Sequence, residues 1–223
     1  MKRFLAFFLC LCLLCPPAYG ARREKLVALT FDDGPSGRFT RALLQGLAQR
    51  NVKATFLLCG YRMEQYPQLT QQIHEAGHEI GLHGFSHKAM DRKTQAELQQ
   101  EIAASMALIP KGCTIRFLRP PGGQSGAAAR AATKAAGLSL LCWSVDPRDW
   151  NTHAAAAIEQ QVLCQVRDGD VILLHDMSDS SVAAALSIVD KQLCQGFRFV
   201  TVSQLAQAKG IEPQPGKLYC RFS

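Results

Sequence analysis

The chain has 223 residues, 48% hydrophobic and 19% charged, with 25 Lys+Arg against 18 Asp+Glu and a formal net charge of +7. That apolar share excludes a disordered or collagen-like chain. The positive charge is scattered, which argues against a nucleic-acid groove and fits only a weak attraction to an anionic wall or membrane surface.

Met1-Lys2-Arg3 opens the chain, and every residue from Phe4 to Cys15 is apolar. A dozen apolar residues are too few to cross a ~30 Å hydrocarbon core as a helix. The basic start, the short apolar centre and the small-any-small Ala18-Tyr19-Gly20 predict a secretory signal over residues 1–20, cut after Gly20. Its removal leaves 223 − 20 = 203 residues and a charge of 23 − 18 = +5. The mature chain is then expected to be secreted or wall-associated, without a stable membrane span, as a monomer. Six cysteines remain, Cys59, Cys113, Cys142, Cys164, Cys194 and Cys220. Disulfides are permitted in that compartment, while Cys59 and Cys142 lie inside apolar runs and read as buried thiols.

Beyond the signal, short β-rich runs begin at Leu26, Ala54, Glu79, Ile115, Leu138, Val171 and Phe197. Helical stretches fill the intervals: 39–50, 63–76, 95–108, 127–136, 154–166 and 182–195. Thr94 with Glu97 forms a capping box for the third of these. Gly77, Gly137 and Gly196 stand where helices should end. Seven strands alternating with helices predict a parallel sheet with crossover helices, either open and doubly wound or closed as a barrel. No phosphate-cradling glycine loop follows the first strand, which disfavours a nucleotide-binding sheet. The expected organisation is one domain over residues 21–212 with a tail over 213–223.

Polar residues cluster at the strand ends, where a barrel places its reactive groups. Asp32-Asp33 follow the first run, His83 and His87 the third, Arg119 the fourth, Asp146 and Asp149 the fifth, and His175-Asp176 the sixth. Each alone is bland: Asp-Asp-Gly-Pro is a turn signal, His-x-x-x-His is common on surfaces, and a lone arginine is usually solvated. Five successive strand ends bearing Asp, His or Arg point instead to one catalytic rim.

In order, Thr30-Phe31-Asp32-Asp33-Gly34-Pro35, His83-x-x-x-His87, Arg119-Pro120-Pro121-x-Gly123, Asp146-x-x-Asp149-Trp150 and Leu173-Leu174-His175 resemble the five motifs of the polysaccharide deacetylases, carbohydrate esterase family 4. The resemblance runs from about Leu26 to Leu205. It implies an α/β fold, a distorted, TIM-barrel-like (β/α)7 barrel in a single domain, and metal-dependent removal of acetyl groups from sugars. By the same resemblance Asp33, His83 and His87 hold a divalent metal, most readily Zn2+, with Co2+ or Ni2+ also suited. Asp32 is the general base and Arg119 orients it. His175 is the general acid, backed by Asp149. The oxyanion lies against the backbone N–H at Gly122, with Pro121 beside it, and Trp150 and Leu173 wall a pocket for the acetyl methyl group. These residue types suit the task, because amide hydrolysis needs an activated water, a stabilised oxyanion and a proton for the departing nitrogen.

Two positions depart from the family pattern. Gly84 stands where Ser or Thr usually follows the first histidine, with Ser86 nearby, and Gly122 stands where an aromatic residue often precedes the last glycine. Neither removes a ligand, the base or the acid. The expected function is removal of N-acetyl groups from N-acetylglucosamine of a wall glycan, peptidoglycan, with release of acetate. Chitooligosaccharide and acetylxylan are alternative substrates within the same chemistry. A glycan-binding protein without turnover and an iron oxygenase are readings of other classes.

Overall fold

Strand β1 (Lys25–Asp32) is the hub of the sheet in this computed structural model, which describes residues 24–223. The signal expected at 1–20 lies outside the described residues. Val27, Leu29 and Phe31 pack into one apolar cluster with the helices, while Leu26 and Ala28 belong to a second, interior cluster. Because side chains alternate along a strand, Thr30 and Asp32 share the face of Leu26 and Ala28, nearer its C-terminal end. The inner face of β1 is therefore apolar at one end and polar at the other.

The remaining elements follow in regular alternation: α1 (Arg38–Gln49), β2 (Thr55–Leu58), α2 (Gly60–Gln65), α3 (Pro67–Glu75), β3 (Glu79–Leu82), α4 (Gln95–Met106), β4 (Phe117–Leu118), α5 (Ala127–Ala135), β5 (Ser139–Leu141), α6 (Ala155–Gln165), β6 (Val171–His175), α7 (Asp179–Cys194), β7 (Phe197–Val200), α8 (Val202–Ala208) and β8 (Leu218–Tyr219). The sheet runs β6-β1-β2-β3-β4-β5-β8, with β7 paired to the first half of β1, and every ladder is parallel. It curls until its two ends meet through the parallel bridge Val145↔Ile172 and the antiparallel bridge Asp170↔Arg221. The result is the expected distorted (β/α)7 barrel. All strands point the same way, so their C-terminal ends form one rim.

Three local features differ from the sequence reading. The helix expected over 63–76 is two helices, because Pro67 has no N–H to continue α2 and its fixed φ suits the first turn of α3. The run at Ile115 pairs over only two residues, Phe117–Leu118. Residues 213–223 hold β8 and carry the buried Phe222 into the interior cluster beside Phe117. The capping box of α4 is present, with Thr94 N–H donating to Glu97 Oε2 at 2.7 Å. All six cysteines of the described residues are free thiols, Cys59 and Cys142 among them buried. Among the described residues no helix is long and apolar enough to cross a membrane.

Candidate functional site

Strand register gathers the rim residues. Asp32 lies directly across the β1–β6 ladder from His175. The Leu82↔Leu118 pair of β3 and β4 makes His83 and Arg119, one residue further along each chain, neighbours across the sheet. His83 and Arg119 sit on the inner face by the alternation that turns Leu82 and Leu118 outward.

Arg119 and Asp32 form a buried ion pair, their side chains 0% and 3% exposed. Both terminal nitrogens of the guanidinium are engaged, while Nε is buried without a partner: Nη1 donates to Asp32 Oδ1 at 2.6 Å and to Thr30 Oγ1 at 2.8 Å, and Nη2 donates to the Cys142 carbonyl at 2.9 Å. Asp32 Oδ1 is thus engaged, and Oδ2 is left on the side of His83, 3.7 Å from its Nε2. One carboxylate oxygen is held while the other faces the site.

Asp33, His83 and His87 converge on one point. Asp33 Oδ1 stands 3.3 Å from His83 Nε2 and 3.0 Å from His87 Nε2, yet it is buried and accepts no hydrogen bond. Donors bound to one cation at about 2.0–2.2 Å stand about 3–3.5 Å apart, so the separations fit a shared ion, as do the N and O donor types. The ligand atoms of all three residues lie within 4.8 Å of one another. Burial alone would raise the Asp33 carboxyl, but the two imidazoles outweigh it and hold it well below the usual carboxylate range. Asp33 and His87 are also two of only four non-glycine residues with positive φ among the described residues, at 69° and 55°. Left-handed backbone is unfavourable for such residues, so strain concentrates at this group.

His175 faces the same space from β6. Asp149, 2% exposed, accepts from both the His175 backbone N–H and its ring Nδ1, each at 2.8 Å. This leaves Nε2 directed at the site, 4.0 Å from Asp33 Oδ2. Burial pulls the imidazole down, but Asp149, with Asp32 and Asp33 adding to it, lifts it to about 9. Asp146 has a local task, accepting the Arg148 N–H at 2.8 Å in the turn before Asp149. Leu173 is buried at the inner position two residues before His175, whereas Trp150 is 56% exposed with the Arg148 guanidinium over its ring. Pro121 is buried, and Gly122 beside it takes a left-handed φ of 68° with open space where a Cβ would stand. The absent aromatic ring therefore leaves that side of the rim open.

Contacts whose role the motifs do not reveal are the Thr30 hydroxyl and the Cys142 carbonyl on Arg119, and Asp176 behind Gly34. The first was accessible from period-two alternation, which places Thr30 beside Asp32; the second depends on the approach of β5 to β4 and has no sequence signal. Asp176 is fully buried, accepts from Thr40 Oγ1 at Oδ2, and leaves Oδ1 unpartnered. It packs against Gly34, where a Cβ would stand only 2.7 Å from Oδ1. Burial, opposed by the Thr40 hydrogen bond, pushes its carboxyl up to about 6 from an ordinary 3.8. A carboxyl raised in the folded state contributes stability that is complete below the unfolded value and is lost as pH climbs through the folded one. The unfolding free energy of the wild type relative to Asp176→Asn is therefore expected to fall by on the order of 2 kcal/mol between about pH 4 and pH 7. Denaturant melts of both proteins across that range check this, and a constant difference contradicts it.

Carboxylates, imidazoles and a buried guanidinium thus gather on one barrel rim, with Asp33, His83 and His87 close enough together to share a cation. The chain belongs to the polysaccharide deacetylase family, whose model, "Polysaccharide deacetylase", matches residues 19–141. A peptidoglycan-N-acetylglucosamine deacetylase of Bacillus cereus is 36% identical over 192 residues, 83% of this chain and 90% of that protein. A peptidoglycan-N-acetylglucosamine deacetylase of Listeria monocytogenes is 33% identical over 206 residues, and this chain spans only 43% of its length. Among solved structures, a family 4 acetyl xylan esterase from Clostridium thermocellum in complex with a cobalt ion superposes with a TM-score of 0.82 at 32% identity, covering 88% of this chain and 98% of that one. This chain is accordingly a polysaccharide deacetylase, a hydrolase.

Proposed function

We propose that this protein is a divalent-metal-dependent N-deacetylase of N-acetylglucosamine residues in peptidoglycan, releasing acetate outside the cytoplasm. The observation that carries the reading is Asp33 Oδ1, buried and unbonded between His83 Nε2 and His87 Nε2, with Asp32 Oδ2 3.7 Å from His83 Nε2 and His175 Nε2 4.0 Å from Asp33 Oδ2. The substrate follows the peptidoglycan deacetylases to which the chain is similar. Export follows the basic and apolar start of the sequence and the site of the substrate.

Asp33, His83 and His87 would hold the cation, with Zn2+ suited to the donor set and Co2+ the ion in the related esterase. When bound, a divalent cation supplies Lewis acidity, which makes water a nucleophile near neutral pH and offsets charge developing on the carbonyl oxygen. The chain does the rest. Asp32 Oδ2 takes the proton of the attacking water while Arg119 holds Oδ1 and thereby the plane of the carboxylate. The Gly122 N–H supports the oxyanion, with Pro121 fixing the turn. His175 Nε2 gives its proton to the departing nitrogen as the carbon–nitrogen bond breaks, and Asp149 stabilises the charged ring that can do so. Leu173 and Trp150 bound the acetyl methyl, limiting the acyl group to about the size of acetate. The products are acetate and a free amino sugar.

Acetate release from peptidoglycan, chitooligosaccharides and acetylxylan, before and after chelation, tests this. Stripping is expected to lower turnover at least about tenfold, and Zn2+ to restore it. Hydrolysis of the other glycans without peptidoglycan would overturn the substrate, and a requirement for iron and oxygen would overturn the reaction class.

A further inference from the structure

The two imidazoles of the Asp33 group are supported unequally. His83 Nδ1 is hydrogen-bonded to the Arg119 carbonyl oxygen at 2.8 Å, and the His83 backbone N–H donates to Leu58 O at 2.8 Å. Metal-ligating histidines are normally oriented by such a second contact, which fixes the ring and its tautomer. The His87 side chain is 42% exposed, and among the described residues none hydrogen-bonds its Nδ1 or its backbone N–H. Its backbone is nonetheless held at a φ of 55°, an unfavourable conformation for histidine that the surroundings must impose.

The loop leading to His87 shows where that hold comes from. The Gly84 and Phe85 carbonyls accept from Gly60 N–H and Tyr61 N–H, each at 3.0 Å. The last attachment before His87 is Ser86, whose Oγ donates to Glu101 Oε1 at 2.8 Å. Lys93 Nζ completes the cluster, donating to the same Oε1 at 2.5 Å and to Ser86 Oγ at 3.3 Å. Glu101 lies within α4, whose first turn is secured by its capping box, so the anchor is rigid. Glu101 Oε2 is buried without a partner, 3.8 Å from where a Cβ on Gly84 would stand. Since Gly84 carries no hydroxyl, the side-chain link between loop and helix passes through Ser86.

We propose that Ser86, Glu101 and Lys93 form a clamp that positions His87 for the cation, doing through the backbone what the Arg119 carbonyl does directly for His83. These are positioning residues, and the proposal rests on Asp33, His83 and His87 being the cation group. An alternative is that the cluster merely staples α4 to the loop, in which case cation affinity would not depend on it.

Zn2+ affinity of the metal-stripped full chain, measured by competition with a chromophoric chelator, separates the two. The wild type is expected to take up one Zn2+ that His87→Gln loses. Ser86→Ala and Glu101→Gln are expected to weaken binding by about 10–100-fold, the range found when a ligand's supporting contact is removed. Ser86→Thr keeps the hydroxyl and is expected to stay within about threefold of wild type. Thermal melts of each variant establish that it is folded, and the Co2+ absorption spectrum should change in Ser86→Ala as His87 ligation loosens. Affinity within about threefold of wild type in both Ser86→Ala and Glu101→Gln, with His87→Gln still losing the ion, overturns the clamp and leaves the cation group standing. A wild type that binds no Zn2+, Co2+ or Ni2+ overturns the cation group and the clamp together.

Discussion

Asp32→Asn is expected to lower acetate release by about 10²–10⁴-fold, the range of a positioned general base, with cation binding retained. Asparagine matches aspartate in shape and can still accept from Arg119 through Oδ1, so the 2.6 Å contact has a replacement. It cannot take a proton from water at the position of Oδ2. The substitution also leaves a fully buried guanidinium without its counter-charge, and breaking such a pair costs about 3–5 kcal/mol when one partner is removed. The loss of turnover must therefore be read on protein shown by thermal melting to be folded and by metal analysis to be loaded. Turnover within about threefold of wild type on folded, loaded protein would remove Asp32 from the role of base.

Asp149→Asn is the second large effect, about 10²–10⁴-fold on an N-acetylated glycan. Asp149 accepts two N–H groups of His175, one on the backbone and one on the ring. A carboxamide has one acceptor oxygen, so its NH2 faces one of those N–H groups. If the oxygen serves the backbone, ring Nδ1 must become an acceptor and the imidazole can no longer carry two protons. The neutral ring then holds only its Nε2 proton, which is far too weakly acidic to protonate the departing nitrogen. An aryl acetate distinguishes this from general damage, because a phenolate leaves without protonation. Its hydrolysis is expected to fall no more than about tenfold in the same variant. Equal losses on both substrates would show that Asp149 acts by supporting the site as a whole.

Much of this rim was legible along the chain, and the reason is local. Period-two alternation through Leu26, Ala28, Thr30 and Asp32 already gives Asp32 the inner face. Thr94 and Glu97 interact within one helical turn, so their capping box is readable wherever it occurs. The motif residues stand at strand ends because each run of β-branched and aliphatic residues stops at them. The proline that divides α2 from α3 was equally readable in principle. There the helical periodicity across residues 63–76 masks, in the sequence, the break that Pro67 imposes in the fold.

What stayed hidden depends on register and closure. Arg119 meets Asp32 across 87 residues, a pairing that only the family resemblance supplies, and its second donor finds a backbone carbonyl, at Cys142, that carries no side-chain signature. The approach of Glu101 and Lys93 to Ser86 depends on how α4 lies over the loop after β3. Phe222 enters the interior because β8 pairs with β5, although the proline and glycine before it read as a tail. Composition and charge, from which +7 and 48% hydrophobic were the first facts, excluded classes of protein but placed no residue. Side-chain period and helix caps act over one to four positions, so sequence order alone specifies them. Which carbonyl, carboxylate or helix meets a rim residue is set when the strands pair and the sheet curls shut, and those contacts join positions that nothing local relates.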